Sequence, residues 1–142
     1  MKRLAILAAA LSLTAAHAYA ADPAEGDWLV QSGDAKVHIA PCGRAQLCGN
    51  IFWLKVPRDE EGQPKHDEHN PDASLRHRPI LGLQMIWGFH GEGAGRWEGG
   101  KIYDPKSGKT YASKMRIAKD GVLKVSGCIA IFCQAQTWTR VN

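Results

Sequence analysis

Arg96-Trp97-Glu98-Gly99-Gly100-Lys101-Ile102-Tyr103, then Asp104-Pro105-Lys106-Ser107-Gly108, then Thr110-Tyr111-Ala112-Ser113-Lys114-Met115-Arg116-Ile117, is the stretch that decides the fold. Two segments rich in β-branched and aromatic residues flank a turn built from Asp, Pro, Ser and Gly, which reads as strand, turn, strand. In the second segment Tyr111, Met115 and Ile117 fall on one side and Lys114 and Arg116 on the other, the period of two of a half-buried strand. No helical period competes with it. The same rhythm extends in both directions, and turn residues cut the chain into eight expected strands: 28–31, 36–40, 47–56, 83–90, 96–103, 110–117, 122–128 and 134–141. Eight successive strands with mostly short links suit an up-and-down antiparallel barrel, because closure leaves no open sheet edge. A small β-sandwich or a filled barrel without a cavity is the competing form.

One segment breaks the rhythm. Pro57 to Pro79 is charged, carries His and Pro, and has almost no apolar residue apart from Leu75. A connection this long inside a compact domain is usually functional. Asn70-Pro71 ahead of Asp72-Ala73-Ser74-Leu75 has the form of an N-cap followed by a first-turn proline, so a single helical turn is expected there.

The N-terminus reads as an address. Lys2 and Arg3 precede an apolar run from Leu4 to Ala16, and Ala18-Tyr19-Ala20 supplies a small-x-small cleavage pattern. The run is too short to span a bilayer comfortably, so no membrane span is expected. Cleavage after Ala20 leaves one domain, 21–142, and removes two cations, so the formal charge falls from +4 to +2. The remaining cations are scattered, without the basic stripe that nucleic-acid binding requires. An exported protein, periplasmic or secreted, is the expectation.

Cys42, Cys48, Cys128 and Cys133 form an even set, which in an oxidising compartment reads as two disulfides. Pairing Cys42 with Cys48 and Cys128 with Cys133 closes two short turns and is favoured; cross-pairing of the two regions stays open. Neither C-x5-C nor C-x4-C brings a second close pair of ligands, so zinc is disfavoured.

Gly26-Asp27-Trp28 opens the first strand and Arg140 lies near the end of the last. This is similar to the lipocalin arrangement, in which a G-x-W tryptophan plugs the barrel base and a late arginine covers its ring. The chain also resembles the DUF2147 family of exported bacterial proteins across nearly all of its mature length. The matching stretches include Cys48-Gly49-Asn50-Ile51-Phe52-Trp53-Leu54, Asn70-Pro71-Asp72, Arg76-His77-Arg78-Pro79, Trp97-Glu98-Gly99-Gly100-Lys101-Ile102-Tyr103-Asp104-Pro105 and Gln136-Thr137-Trp138-Thr139-Arg140. The resemblance implies a lipocalin-like barrel outside the cytoplasm and implies no reaction.

Candidate site residues fall into three groups. Trp97, Lys101 and Tyr103 are expected to alternate onto one face of the fifth strand, with Gly99 leaving space between them, and to form with Trp53 and Arg78 the wall of a site for an apolar or amphipathic small molecule. Asp67, Asn70 and Arg78 are expected to anchor the long loop through an Arg–carboxylate fork. Trp28 and Arg140 form the barrel plug. His66-Asp67-Glu68-His69 offers metal-ligand chemistry, but adjacent residues rarely converge on one ion, and neither metal nor cofactor is expected. Gly108-Lys109-Thr110 matches the end of a P-loop, yet Tyr103 stands where the motif needs its first glycine. No G-x-S-x-G, H-E-x-x-H or Cys–His arrangement is present, so an enzyme is not expected. Ligand binding is the leading expectation, and a protein-interaction module with a filled barrel is the alternative. The sequence is silent on oligomeric state.

Overall fold

The computed structural model describes residues 20–142. The expected leader therefore lies outside the described residues, apart from its last alanine.

Eight strands follow one another: β1 (Gly26–Leu29), β2 (Ala35–Cys42), β3 (Gln46–Leu54), β4 (Gln84–Gly91), β5 (Arg96–Asp104), β6 (Lys109–Ile117), β7 (Leu123–Ile129) and β8 (Phe132–Arg140). Each pairs antiparallel with the next, and β8 returns to β1 through Trp28 opposite Arg140 and Leu29 opposite Thr139, closing the barrel. All eight strands expected from turn spacing are present. The β1–β2, β3–β4, β5–β6 and β7–β8 connections gather at one end, and the β2–β3, β4–β5 and β6–β7 hairpins at the other. Among the described residues no helix is long and apolar enough to cross a membrane.

Alternation sets the core. Val37 and Ile39 on β2, Ser113 and Met115 on β6, and Leu123 and Val125 on β7 are buried, while Lys114 and Arg116 face solvent. Trp28 and Trp138 are fully buried, and the Trp28 indole N–H donates to the Ala24 carbonyl at 2.8 Å. Each such ring removes roughly 150–250 Å² from water, worth on the order of 4–6 kcal/mol as an upper bound. The barrel is filled at mid-height. A methyl placed on Gly49 would lie 2.7 Å from both Val37 and Ile86, and one on Gly100 would lie 2.5 Å from the Phe89 ring.

Both disulfides are local, Cys42–Cys48 across the β2–β3 hairpin and Cys128–Cys133 across the β7–β8 hairpin. Cross-pairing is thereby excluded. The helical turn is a 3-10 turn, Ala73–Leu75, and its cap is Asp72 rather than Asn70: the Asp72 carboxylate accepts from the Ser74 amide at 2.9 Å. Asn70 instead accepts from the Asp72 amide at 2.8 Å, one step before the turn.

A β-bulge corrects the expected face of β5. The register shifts between Trp97 and Gly100, with Gly99 at φ 73°. Trp97 opposes Met115 and points into the core, where its indole N–H donates to Asp22 at 3.1 Å. Beyond the bulge, Lys101 and Tyr103 face outward. An extra residue in one strand inverts the alternation after it, so the three side chains do not share a wall.

Candidate functional site

The segment between β3 and β4 folds down over the outer wall of β4, β5 and β6, and the buried carboxylate of Asp67 holds it there. Asp67 Oδ2 accepts from Asn70 Nδ2 at 2.7 Å and from Arg78 Nε and Nη2, both at 2.8 Å. Its Oδ1 accepts from the Tyr103 hydroxyl at 2.6 Å. A carboxylate removed from water is tolerated only when its lone pairs are met, and here donors meet both oxygens. The Arg78 guanidinium also lies 5.6 Å from the Tyr103 ring centroid. Burial, with the adjoining Asp67 carboxylate, pushes the Tyr103 hydroxyl up to about 12. The phenol is therefore a hydrogen-bond donor at neutral pH and is not poised as a base.

Two further contacts lock the loop. Arg76 Nε donates to the Asn70 carbonyl at 2.8 Å. Gly108, at φ 70° in the β5–β6 turn, lies directly beneath the His69 carbonyl, where any Cβ would collide with that oxygen. This explains the Gly108-Lys109-Thr110 sequence as a turn under a loop.

Between loop and wall lies a cleft of about 230 Å³ lined by Asn70, Pro71, Arg78, Gln84, Trp87, Tyr103 and Thr110. Its chemistry is mixed. Trp87 offers an aromatic surface, while Gln84, Thr110 and the free edge of the Arg78 guanidinium offer hydrogen bonds. Of the residues expected to line a ligand site, the structure brings together Arg78 and Tyr103, with Asn70 beside them on the cleft wall and Asp67 behind. Trp53 lies elsewhere, on the outer wall 4.8 Å from the Lys36 ammonium. Trp97 is in the core, and Lys101 is exposed on β5 opposite Trp87. Gln84, Trp87 and Thr110 were not among the residues expected to line a ligand site. Thr110 was findable, since a hairpin register through the Asp104–Gly108 turn sets it opposite Tyr103.

A second, more open cleft of about 550 Å³ lies on the outer wall of β1–β3, lined by Asp27, His38, Asn50, Ile51, Phe52, Leu81 and Gly82. His38 Nδ1 is 2.5 Å from Asp27 Oδ1. The pair resembles the base half of a nucleophilic triad, but no hydroxyl or thiol side chain is among the lining residues. Among the described residues no group of three His, Cys, Asp or Glu side chains assembles for a metal. In the His66–His69 run, Asp67 is committed to Arg78 and Tyr103.

The plug geometry matches the lipocalin arrangement: Arg140 Cζ lies 4.2 Å from the Trp28 ring centroid. A solved structure described as "Protein HP1028 from the human pathogen Helicobacter pylori belongs to the lipocalin family" is similar in fold, with a TM-score of 0.70 at 21% identity, covering 83% of this chain and 82% of that one. No curated protein matches the chain. The model of the family described as "Uncharacterized protein conserved in bacteria (DUF2147)" matches residues 26–140, the whole of the closed barrel, and the chain belongs to that family.

Proposed function

We propose that the protein is an exported, non-catalytic carrier that binds a small amphipathic molecule in the cleft between the Pro57–Pro79 loop and the outer wall. The observation that carries this reading is the juxtaposition of Trp87 with the free edge of Arg78, beside Gln84 and Thr110, in a cleft of about 230 Å³. Pockets for drug-sized ligands run roughly 300–1,000 Å³, so the molecule, or the part of it held here, is small. Packing around Gly49 and Gly100 argues against a ligand at the centre of the barrel. Arg78 keeps donors beyond those given to Asp67, which suits a carboxylate or phosphate head, and the Trp87 ring suits an apolar tail. The two disulfides fit an oxidising compartment.

Native mass spectrometry of protein recovered from its own host tests the proposal. A small adduct is expected, lost in Trp87→Ala while the fold survives. Absence of an adduct, together with no change in tryptophan fluorescence across a panel of short aliphatic and aromatic carboxylates and phosphates, would overturn it. A second reading, a protein-interaction module, is favoured by the filled interior. It expects a partner captured from envelope extracts to be lost when the loop is deleted.

A further inference from the structure

The seam that closes the barrel is short. β8 runs nine residues and β1 only four, and the two strands pair at Trp28 opposite Arg140 and Leu29 opposite Thr139. In an antiparallel strand successive residues turn their N–H and C=O groups to opposite edges. Three contacts fix which residues of β8 face β1: Thr139 pairs with Leu29, the Val141 amide donates to the Asp27 carbonyl at 2.9 Å, and the Thr137 amide donates to Gln31 Oε1 at 2.7 Å. Cys133 and Ala135 continue that alternation, so their amides and carbonyls point to the same edge, past the end of β1. Among the described residues these groups have no hydrogen-bond partner. The Cys128–Cys133 pair agrees, because its Cα atoms stand 4.0 Å apart, the close spacing of opposed residues that exchange no hydrogen bonds.

Open edges are normally defended by charge, proline or a bulge. Here nothing of the kind is present. From Ile129 to Trp138 no residue is charged and none is proline; the β7–β8 register runs without a shift, and Phe132 to Gln136 are all exposed. Backbone donors and acceptors at strand spacing are met by another strand. Symmetry decides which one. An antiparallel edge set against its own copy is self-complementary about a twofold axis. With Gln134 opposite Gln134 of the second copy, Cys133 meets Ala135 and Ala135 meets Cys133, and every free group of the two residues is paired. Centring on Cys133 would set Ala135 against Ile131, which lies in the turn. Centring on Ala135 would set Cys133 against Thr137, whose amide Gln31 already holds. The remaining register also joins two carboxamides at the axis, each with a donor and an acceptor to offer. It brings Phe132, 77% exposed in the single chain, against Gln136 of the second copy.

We propose that two copies of the chain associate through the free edge of β8, in an antiparallel ladder centred on Gln134. The ladder is short, so the association is reversible. The cleft beneath the Pro57–Pro79 loop takes no part in it, and either proposal can fail alone.

Sedimentation velocity over a concentration series tests it, with amide hydrogen exchange alongside, on protein recovered after export with its N-terminus read by mass spectrometry. A monomer–dimer equilibrium is expected. The Cys133 and Ala135 amides should gain protection as dimer forms, while those of Gln134 and Gln136, which face β7, should not change. Gln134→Lys sets like charges opposite each other at the axis and is expected to weaken association about fivefold or more, as is Gln134→Glu. An equimolar mixture of the two variants is expected to associate again as a heterodimer. Should either fail to fold, Ala135→Pro removes a donor on the free edge without taking a bond from the β7 ladder, and is expected to weaken association about tenfold or more. A wild-type chain that stays monomeric to about millimolar concentration would overturn the proposal. Charge variants that dimerise as tightly as wild type, or that do not recombine when mixed, would place the contact elsewhere and overturn it too. Protection of Cys133 and Ala135 that arises in a monomer only when envelope extract is added would overturn it in favour of another protein's strand.

Discussion

Arg140 covers Trp28 and ties down the chain in front of it: its Cζ lies 4.2 Å from the indole centroid, while Nη1 and Nη2 donate to the Glu25 and Pro23 carbonyls at 3.0 and 2.7 Å. One guanidinium thus joins the last strand, the ring that plugs the barrel, and the entry segment. Arg140→Ala is expected to cost about 1–3 kcal/mol, from a cation–π contact of roughly 0.5–2 kcal/mol and charged hydrogen bonds moderated by exposure. Arg140→Lys should recover little, because an ammonium cannot stack and reach two carbonyls at once. Urea unfolding checks both, with the midpoint falling and the slope unchanged.

Packing at mid-height gives the second expectation. Gly100→Ala would set a methyl 2.5 Å from the Phe89 ring, which is fully buried and has no room to withdraw. Overpacking of this kind costs about 1–3 kcal/mol. Phe89→Leu alone should destabilise too, but the double variant should be less unstable than the sum of the two. Additive losses in a denaturation cycle would show that the contact is not the cause.

What the sequence made legible is periodic or local. All eight strands followed from turn residues at short intervals, the local disulfides from cysteines flanking turns, and the plug from Gly26-x-Trp28 and a late Arg140. Asp67, Asn70 and Arg78 were recognised as a loop-anchoring group, and they share one hydrogen-bond network. The face of β5 was not legible. Strict alternation places Trp97 with Lys101 and Tyr103, and one bulge, at a glycine whose positive φ only the fold reveals, turns Trp97 into the core. Trp87 and Gln84 were missed for a related reason: they become site residues only because a distant loop lies over them.

That loop rests on two replaceable supports. Gly108→Ala would drive a methyl into the His69 carbonyl at a backbone φ of 70°, so the turn and the loop cannot both keep their places. Asp67→Asn removes the charge that Arg78 pairs with and, with its oxygen kept toward Arg78, turns an N–H group toward the Tyr103 hydroxyl; it is expected to cost about 2–4 kcal/mol, discounted from the roughly 3–5 of a broken buried pair because Arg78 is partly solvated. Hydrogen exchange should rise across 57–79 in both variants, while β2, β7 and β8 keep wild-type protection. Uniform loss of protection would instead show that loop and barrel unfold as one unit.

Tyr103 makes the same network sensitive to alkali. Its folded-state value is raised from 10.0 to about 12 by burial and by the Asp67 carboxylate, so folding favours the neutral phenol. The stability this contributes is fully present below pH 10 and is lost as the pH rises from there through about 12, where the folded protein ionises. Ionisation would remove the donor to Asp67 Oδ1 and set a phenolate against a carboxylate 2.6 Å away, so the loop should release from the wall before the barrel opens. Absorbance at the phenolate band is expected to show a late step, displaced toward about 12, that belongs to Tyr103. Tyr103→Phe should delete that late step and leave the alkaline limb of stability flatter. A titration with no late step for Tyr103→Phe to remove would show that Asp67 does not hold the hydroxyl in solution.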